Sequence, residues 1–452
     1  MPGNAEPRAS SVDAASIQAR RRVMQELTCR PLHHHLTNTN VWSHDGQWIY
    51  YDVRSDPLGA VFDGPQIERV NVRTREVEVI YRSSDNACVG VVTASPTDNR
   101  IAFIHGPEHP TEAWSYAAYH RRGVVMRPGE SGLPSNLDAR NVVAPYTAGA
   151  LRGGSHVHVW DRRGEWVSFT YEDHVLATSA GGTQTNQRNI GVSIPAPSVV
   201  VPKSHPRNHD GTHFSVVATR THDQPTPGSD QIAKAYEDAW VGSDGYLNHL
   251  GTRQSKALAF IGDVAGDDSN EWIPELYLVD LPGDLTVEGE GPLAGTASTR
   301  PFPPAGAMQR RLTRTTHRKH PGLATDVRHW PRSRPDGTEI FCLMRDDEGV
   351  IQLCGVSTAN GSLRQITYGS ESVASAFTVH PSGQFVACVI GDEVCEVTLD
   401  GGVSRCLARQ DADQRFLPFA VVYSPDGKMV AFGAAAKHGE DWWNQVYVVA
   451  RE

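Results

Sequence analysis

Two histidines one residue apart are the first groups in this chain that could do chemistry. His156 and His158 lie in Gly153-Gly154-Ser155-His156-Val157-His158-Val159-Trp160, a run that reads as a strand. Side chains two apart on a strand share a face, with β-carbons about 7 Å apart at a rise of about 3.3 Å per residue. Both imidazoles could then reach one ion, and neutral imidazole commonly ligates Zn²⁺ and Mn²⁺. His329, in Arg328-His329-Trp330, is expected as a third ligand from a distant part of the chain. The same H-x-H would also serve as polar strand lining or as a hydrogen-bonded pair.

A second group of candidates surrounds Phe103-Ile104-His105-Gly106-Pro107-Glu108-His109 and Tyr119-His120-Arg121-Arg122-Gly123. His105 ends a strand and Gly106-Pro107 turns the chain. His105, His120 and Arg121 could meet over a channel mouth, or the segment could be a solvated basic loop. His33-His34-His35 reads as the polar start of a strand, because adjacent residues alternate faces and rarely share one ion. Asp263, Asp267 and Asp268 match no calcium-loop spacing. The chain has no P-loop, no G-x-S-x-G elbow and no H-E-x-x-H.

These residues must be positioned by a repeat. Trp42-Ser43-His44-Asp45-Gly46 precedes a strand at Trp48, and Ser95-Pro96-Thr97-Asp98-Asn99 precedes one at Ile101. Related phrases end at Gly164 and Gly211, and the cleanest copies end at Gly337, Gly383 and Gly427. In each, Pro or Asp sets the turn, Gly supplies positive φ, and a β-branched or aromatic run follows. Most spacings are 44 to 65 residues, enough for a four-stranded blade. The wider gap from 211 to 337 holds Ala257-Leu258-Ala259-Phe260-Ile261 and Glu275-Leu276-Tyr277-Leu278-Val279 without the turn signature. The expected fold is an all-β propeller of seven four-stranded antiparallel blades, with eight as the alternative. Six residues before the turn positions Pro335, Arg162 and His44 stand His329, His156 and Asn38, a pattern expected to line the channel.

Residues 1–30 are expected as an N-terminal extension, with a short helix over 12–28, and 31–452 as one propeller. Segments 108–146 and 282–307 interrupt the period and are expected as long loops. The late strand Gln445-Val446-Tyr447-Val448-Val449 suggests that the two ends of the chain close the ring.

The chain has 452 residues, 39% of them hydrophobic, and a formal net charge of −10. The charge argues against nucleic acid as partner. No apolar run approaches the roughly 20 residues of a membrane span, and Arg20 to Arg22 are followed by no signal-like apolar stretch. Seven scattered cysteines without C-x-x-C spacing fit reduced thiols and a cytoplasmic location.

The W-S-x-D-G and S-P-D-G turns resemble TolB-type propeller repeats from Leu36 onward. Leu36-Thr37-Asn38-Thr39-Asn40-Val41-Trp42 and His120-Arg121-Arg122-Gly123-Val124 resemble the YidR-like bacterial proteins. A more distant similarity is to oligogalacturonate lyases, seven-bladed propellers that cleave uronate oligomers by β-elimination. Their Mn²⁺ is held by three His and one Gln, and one ligand strand carries H-x-H before such a turn. Gly153 stands here where that Gln would be. The resemblance implies a metal-assisted lyase acting on an anionic oligosaccharide. His156, His158 and His329 would hold the metal, Arg121 or Arg328 would clamp the carboxylate, and His105 or His120 would be the base. The alternatives are a non-catalytic propeller that binds a protein or small ligand, and a hydrolase of another class.

Overall fold

The computed structural model describes residues 24–130, 132–179, 187–266 and 271–451. They form seven antiparallel sheets, the blades of a propeller. Blade one holds His33–His35, Trp48–Arg54, Gln66–Asn71 and Val77–Arg82. Blade two holds Val89–Ala94, Ile101–His105, Arg122–Met126 and Ser135–Asn136. Blade three holds Gly153–Trp160, Val167–Asp173, Asn189–Val199 and Gly211–Val217. Blade four holds Ala235–Trp240, Ala257–Ala265, Trp272–Asp280 and Met308–Arg311. Blade five runs from Arg332–Ser333 to Leu363–Gln365, and blade six from Thr378–Val379 to Ser404–Arg409. Blade seven takes Val422–Tyr423, Met429–His438 and Asp441–Ala450 from the end of the chain.

The turn between the first two strands of a blade is built alike in distant copies. Ser43 Oγ donates to Asp45 Oδ1 (2.6 Å) and accepts from Trp48 N (2.9 Å), while Gln47 N donates to Asp45 Oδ1 (3.0 Å). Ser424, Asp426, Lys428 and Met429 repeat all three bonds. Gly46 and Gly427 take φ of +69° and +71°, a region that glycine occupies without steric cost.

One turn was misplaced by the sequence. Gly211 opens the outer strand of blade three. Blade four instead turns at Gly242-Ser243-Asp244-Gly245, with φ of +70° and +77° at the two glycines. The small hairpin of Tyr246–Leu247 and Arg253–Gln254 follows directly and separates this turn from the second strand, which hid the repeat. Segment 108–146 is likewise more than a loop, since it supplies the third and outer strands of blade two. The expected helix over 12–28 falls mostly outside the described residues, and Gln25–Glu26 form a strand.

That strand closes the ring. Gln25 and Glu26 pair antiparallel with Val448 and Tyr447, so the start of the chain supplies the outer strand of the last blade. Closure of this kind removes an exposed edge. The core lies between adjacent blades. Val192 and Val216 of blade three meet Phe260 and Tyr277 of blade four, and Ile261 and Leu276 of blade four meet Ile340 and Met344 of blade five. Among the described residues, no helix is long and apolar enough to cross a membrane.

Candidate functional site

The inner strands of blades two, three and four share an irregularity. The ladder slips between Gly90 and Thr93, between His156 and Val159, and between Tyr236 and Ala239. At each slip a non-glycine residue is left-handed: Val91 at φ +55°, Val157 at +56° and Glu237 at +53°. Such bulges insert one extra residue and redirect the side chains around it.

The bulge separates the two histidines. His156 keeps its ladder position opposite Thr170, but His158 no longer shares its face, because Val157 breaks the period-two alternation. The His158 ring turns toward blade two. Ser155 Oγ donates to Asp138 (2.8 Å) and accepts from His158 Nε2–H (3.1 Å). A β-carbon on Gly123 would lie 2.3 Å from that nitrogen, so glycine is required there. Burial, then Arg121, holds the His158 pKa down to about 3.

His156 faces a different environment. It is buried, and its Nδ1 has no hydrogen-bond partner. Burial first, then the positive charges of Arg121, Arg188 and Arg328, pushes its pKa well below the usual value. The ring is therefore neutral. Arg188 pairs with Glu172 (2.9 Å), and Arg328 pairs with Glu237 (2.9 Å). Arg121 makes no ion pair within the described residues. Its Nε–H donates to Ala118 O (3.4 Å), and its guanidinium lies 5.7 Å from the Tyr116 ring centroid. These groups come from blades two to five, at the end of the channel opposite the glycine turns.

Arg121 is positioned by buried charge. Arg140 donates to Gly153 O (3.1 Å), to His120 O (3.1 Å) and to Arg121 O. This ties the Ala118–His120 turn to the inner strand of blade three. A β-carbon on Gly154 would lie 2.2 Å from Ala118 O, so the close approach of turn and strand also requires glycine.

The remaining candidates are engaged elsewhere. His329 donates from Nδ1 to Val327 O (2.8 Å) and accepts Leu343 N–H at Nε2 (3.1 Å), which leaves no lone pair for a metal. His105 donates from Nδ1 to Gly106 O (2.7 Å) and accepts from Tyr81 OH at Nε2 (2.9 Å). His120 stacks on Trp114 with centroids 3.8 Å apart. Its Nδ1–H donates to Ser115 O (2.7 Å), and its Nε2 accepts from His174 Nδ1–H (3.1 Å). Asn38 caps Thr39 N (2.6 Å). His33 and His34 bond the backbone of Asn444, holding blade one against blade seven. Asp263 accepts from Tyr236 OH (2.7 Å), while Asp267 and Asp268 lie outside the described residues.

The donors expected for Mn²⁺ therefore do not fit one ion. His158 is turned away, His329 is saturated, and the described residues contain no group of three or more His, Cys, Asp or Glu that could hold a metal. The sequence reading missed Arg188, Glu172 and Glu237, which carry no motif and meet only through the bulged strands.

Residues 88–209, which hold Arg121, His156 and Arg188, match the family described as protein of unknown function DUF3748. The chain is 47% identical over 414 residues to YidR of Escherichia coli (strain K12), described as an uncharacterized protein, covering 91% of this chain and 95% of that one. The chain belongs to the YidR family. The fold of this YidR relative is also that of an oligogalacturonate lyase solved in complex with manganese, with a TM-score of 0.57 and 11% identity over 95% and 93% of the two chains. A second oligogalacturonate lyase, from Vibrio parahaemolyticus, gives a TM-score of 0.54 and 9% identity over 96% and 94%. At such identities the likeness is one of fold.

Proposed function

We propose that this YidR-family propeller binds uronate-containing oligosaccharides at the arginine mouth and cleaves them by β-elimination. The observation that carries the reading is the convergence of Arg121, Arg188 and Arg328 on one buried, neutral imidazole with a free nitrogen. Local field rather than net charge governs capture of an anion, so the overall charge of −10 is no obstacle. The fold shared with oligogalacturonate lyases supports the choice of substrate class.

The steps balance without a co-reactant. Arg121, which has no carboxylate partner among the described residues, takes the uronate carboxylate. The proton at C5 passes to the neutral His156 imidazole, its electron pair forms the C4–C5 double bond, and the C4–O bond breaks. The leaving oxygen collects a proton from water, and the hydroxide so formed takes the proton back from His156. Guanidinium groups stabilise the charge that develops on the enediolate. The bound carboxylate also offsets the arginine charges, the second cause after burial of the lowered His156 basicity, and so raises that basicity in part. No step is routed through a metal, because the donors are not assembled for one.

A second reading is a propeller that binds anionic saccharides without cleaving them. The strongly lowered basicity of His156 favours it. Mixing the protein with a panel of uronate oligosaccharides and following both ultraviolet absorbance and equilibrium binding separates the two. A rise in absorbance marks the unsaturated product, whereas binding without that rise decides for the second reading. All seven cysteines are unpaired thiols, which supports placing the protein in the reducing cytoplasm.

A further inference from the structure

We infer that the other end of the channel, where the glycine turns gather, is a separate binding site for a small anion of about monosaccharide size. A cavity of about 340 Å³ opens there, lined by Thr39, Ala94, Arg162, Trp240, Arg332 and Tyr423 among residues of all seven blades. That volume lies within the roughly 300–1,000 Å³ typical of ligand pockets.

The charge in this cavity is one-sided. Arg162, Arg332 and Arg334 line it, and no aspartate or glutamate does. Arg334 is neutralised by Glu339 (3.0 Å) and Asp400. Arg162 is not, since it makes no ion pair or hydrogen bond among the described residues. Arg332 reaches only the Thr39 hydroxyl, and its Nε is buried without a partner. Its nearest counter-charge is Asp238, which is fully buried, with both oxygens lacking a hydrogen-bond partner. Burial pushes the Asp238 pKa up to about 7, so it offsets Arg332 incompletely. Burial and the neighbouring Arg162 in turn lower the Arg332 pKa to about 10. Two guanidiniums facing one cavity without a full counter-charge favour a ligand that brings its own carboxylate or phosphate. Asn40 of blade one and Ser243 of the blade-four turn also line the cavity and add polar groups suited to sugar hydroxyls. This site does not depend on the lyase reading, which uses the opposite mouth.

Calorimetric titration of the full chain tests it, with inorganic phosphate, galacturonate and neutral galactose as probes. Phosphate and galacturonate separate the two anion types. We expect one or both anions to bind and galactose not to. Arg162→Gln, at a residue that holds no bond in the fold, should weaken that event at least tenfold, whereas Arg121→Gln should leave it in place. Absence of binding by both anions overturns the inference, as does binding that R162Q leaves unchanged and R121Q also leaves unchanged. Binding abolished by R121Q alone assigns the anion to the opposite mouth and also overturns it. Since lyase activity is read separately by absorbance, failure here is distinguishable from failure of the proposed function.

Discussion

Blades two to four and blades five to seven follow the same plan but differ in their inner strands. In blades two to four each inner strand is bulged at a left-handed non-glycine residue; Glu237 sits at such a bulge, Arg121, Arg188 and Glu172 come from other segments of these blades, and Arg328 reaches them from just before the inner strand of blade five. In blades five and six the inner strand pairs over only two residues. A side chain there completes the ladder: His329 accepts Leu343 N–H, and Ser375 accepts Val389 N–H (2.8 Å). The cleanest turn signatures lie in blades five to seven, the irregular ones in blades two and four. The bulged blades supply most of the candidate site, and regular blade five adds Arg328 to it.

The largest expected effect of a single substitution is on the support of the irregular half. Arg152 is fully buried, pairs with Asp173 (2.7 Å), and donates to Thr296 O and to Thr299 O (2.6 Å). It anchors segment 282–307 to blade three. Removing one partner of a buried pair leaves a bare charge, so Arg152→Met should destabilise the fold by about 3–5 kcal/mol in denaturant titration. A loss below 1 kcal/mol would show that the excursion is held by other means.

Acid should act next. His34, His35, His120, His174 and His213 all have pKa values lowered to about 4, in each case chiefly by burial. Their folded pKa lies below the unfolded value, so the fold prefers them neutral. Their contribution is complete above about pH 6.5 and is lost as pH falls toward 4, where only the unfolded chain takes up protons. The ceiling is about 3 kcal/mol for each of the most buried. Melting temperature should fall steadily over that window, and a flat profile would contradict the assignment of these rings as neutral and buried.

In the regular half, His329→Ala should cost about 2 kcal/mol and Ser375→Ala about 1 kcal/mol, because each strands a buried backbone N–H. Neither should change ligand binding at the arginine mouth. If H329A instead abolishes binding of a divalent ion, His329 is a ligand after all.

The smallest effects set a bulge against a turn. Val157 is left-handed yet buried in the core, so Val157→Gly relieves backbone strain but removes a packed side chain and should destabilise by about 1–2 kcal/mol net in denaturant titration. Gly337→Ala places a β-carbon 2.5 Å from Tyr246 Cβ at φ +70° and should destabilise by at least about 1 kcal/mol. A stabilised V157G would show that strain outweighs packing at the bulge.

The fold was legible because the turn phrase recurs at blade spacing, and its copies at Gly46 and Gly427 even share one hydrogen-bond pattern. Ring closure was legible in the strand at Gln445. The fourth turn was hidden by the hairpin at Tyr246. The site was only partly legible. Arg121, Arg328 and His156 were named as candidates and are brought together, but the pairing of His156 with His158 depended on an alternation that the Val157 bulge breaks. A one-residue bulge leaves no mark in a Gly-Ser-His-Val-His-Val run. Arg188 and Glu237 sit at the starts of strands, where charged residues are ordinary.

In the proposed reaction His156, among three arginines, takes the proton, and one measurement tests that directly. The wild-type protein, His156→Ala and His158→Ala are incubated with uronate oligosaccharides, and product is read as ultraviolet absorbance, with circular dichroism as the check on folding. Absorbance should grow for wild type, fall at least a hundredfold for H156A at an unchanged spectrum, and fall much less for H158A. Equal activity in H156A and wild type, or loss confined to H158A, would contradict it.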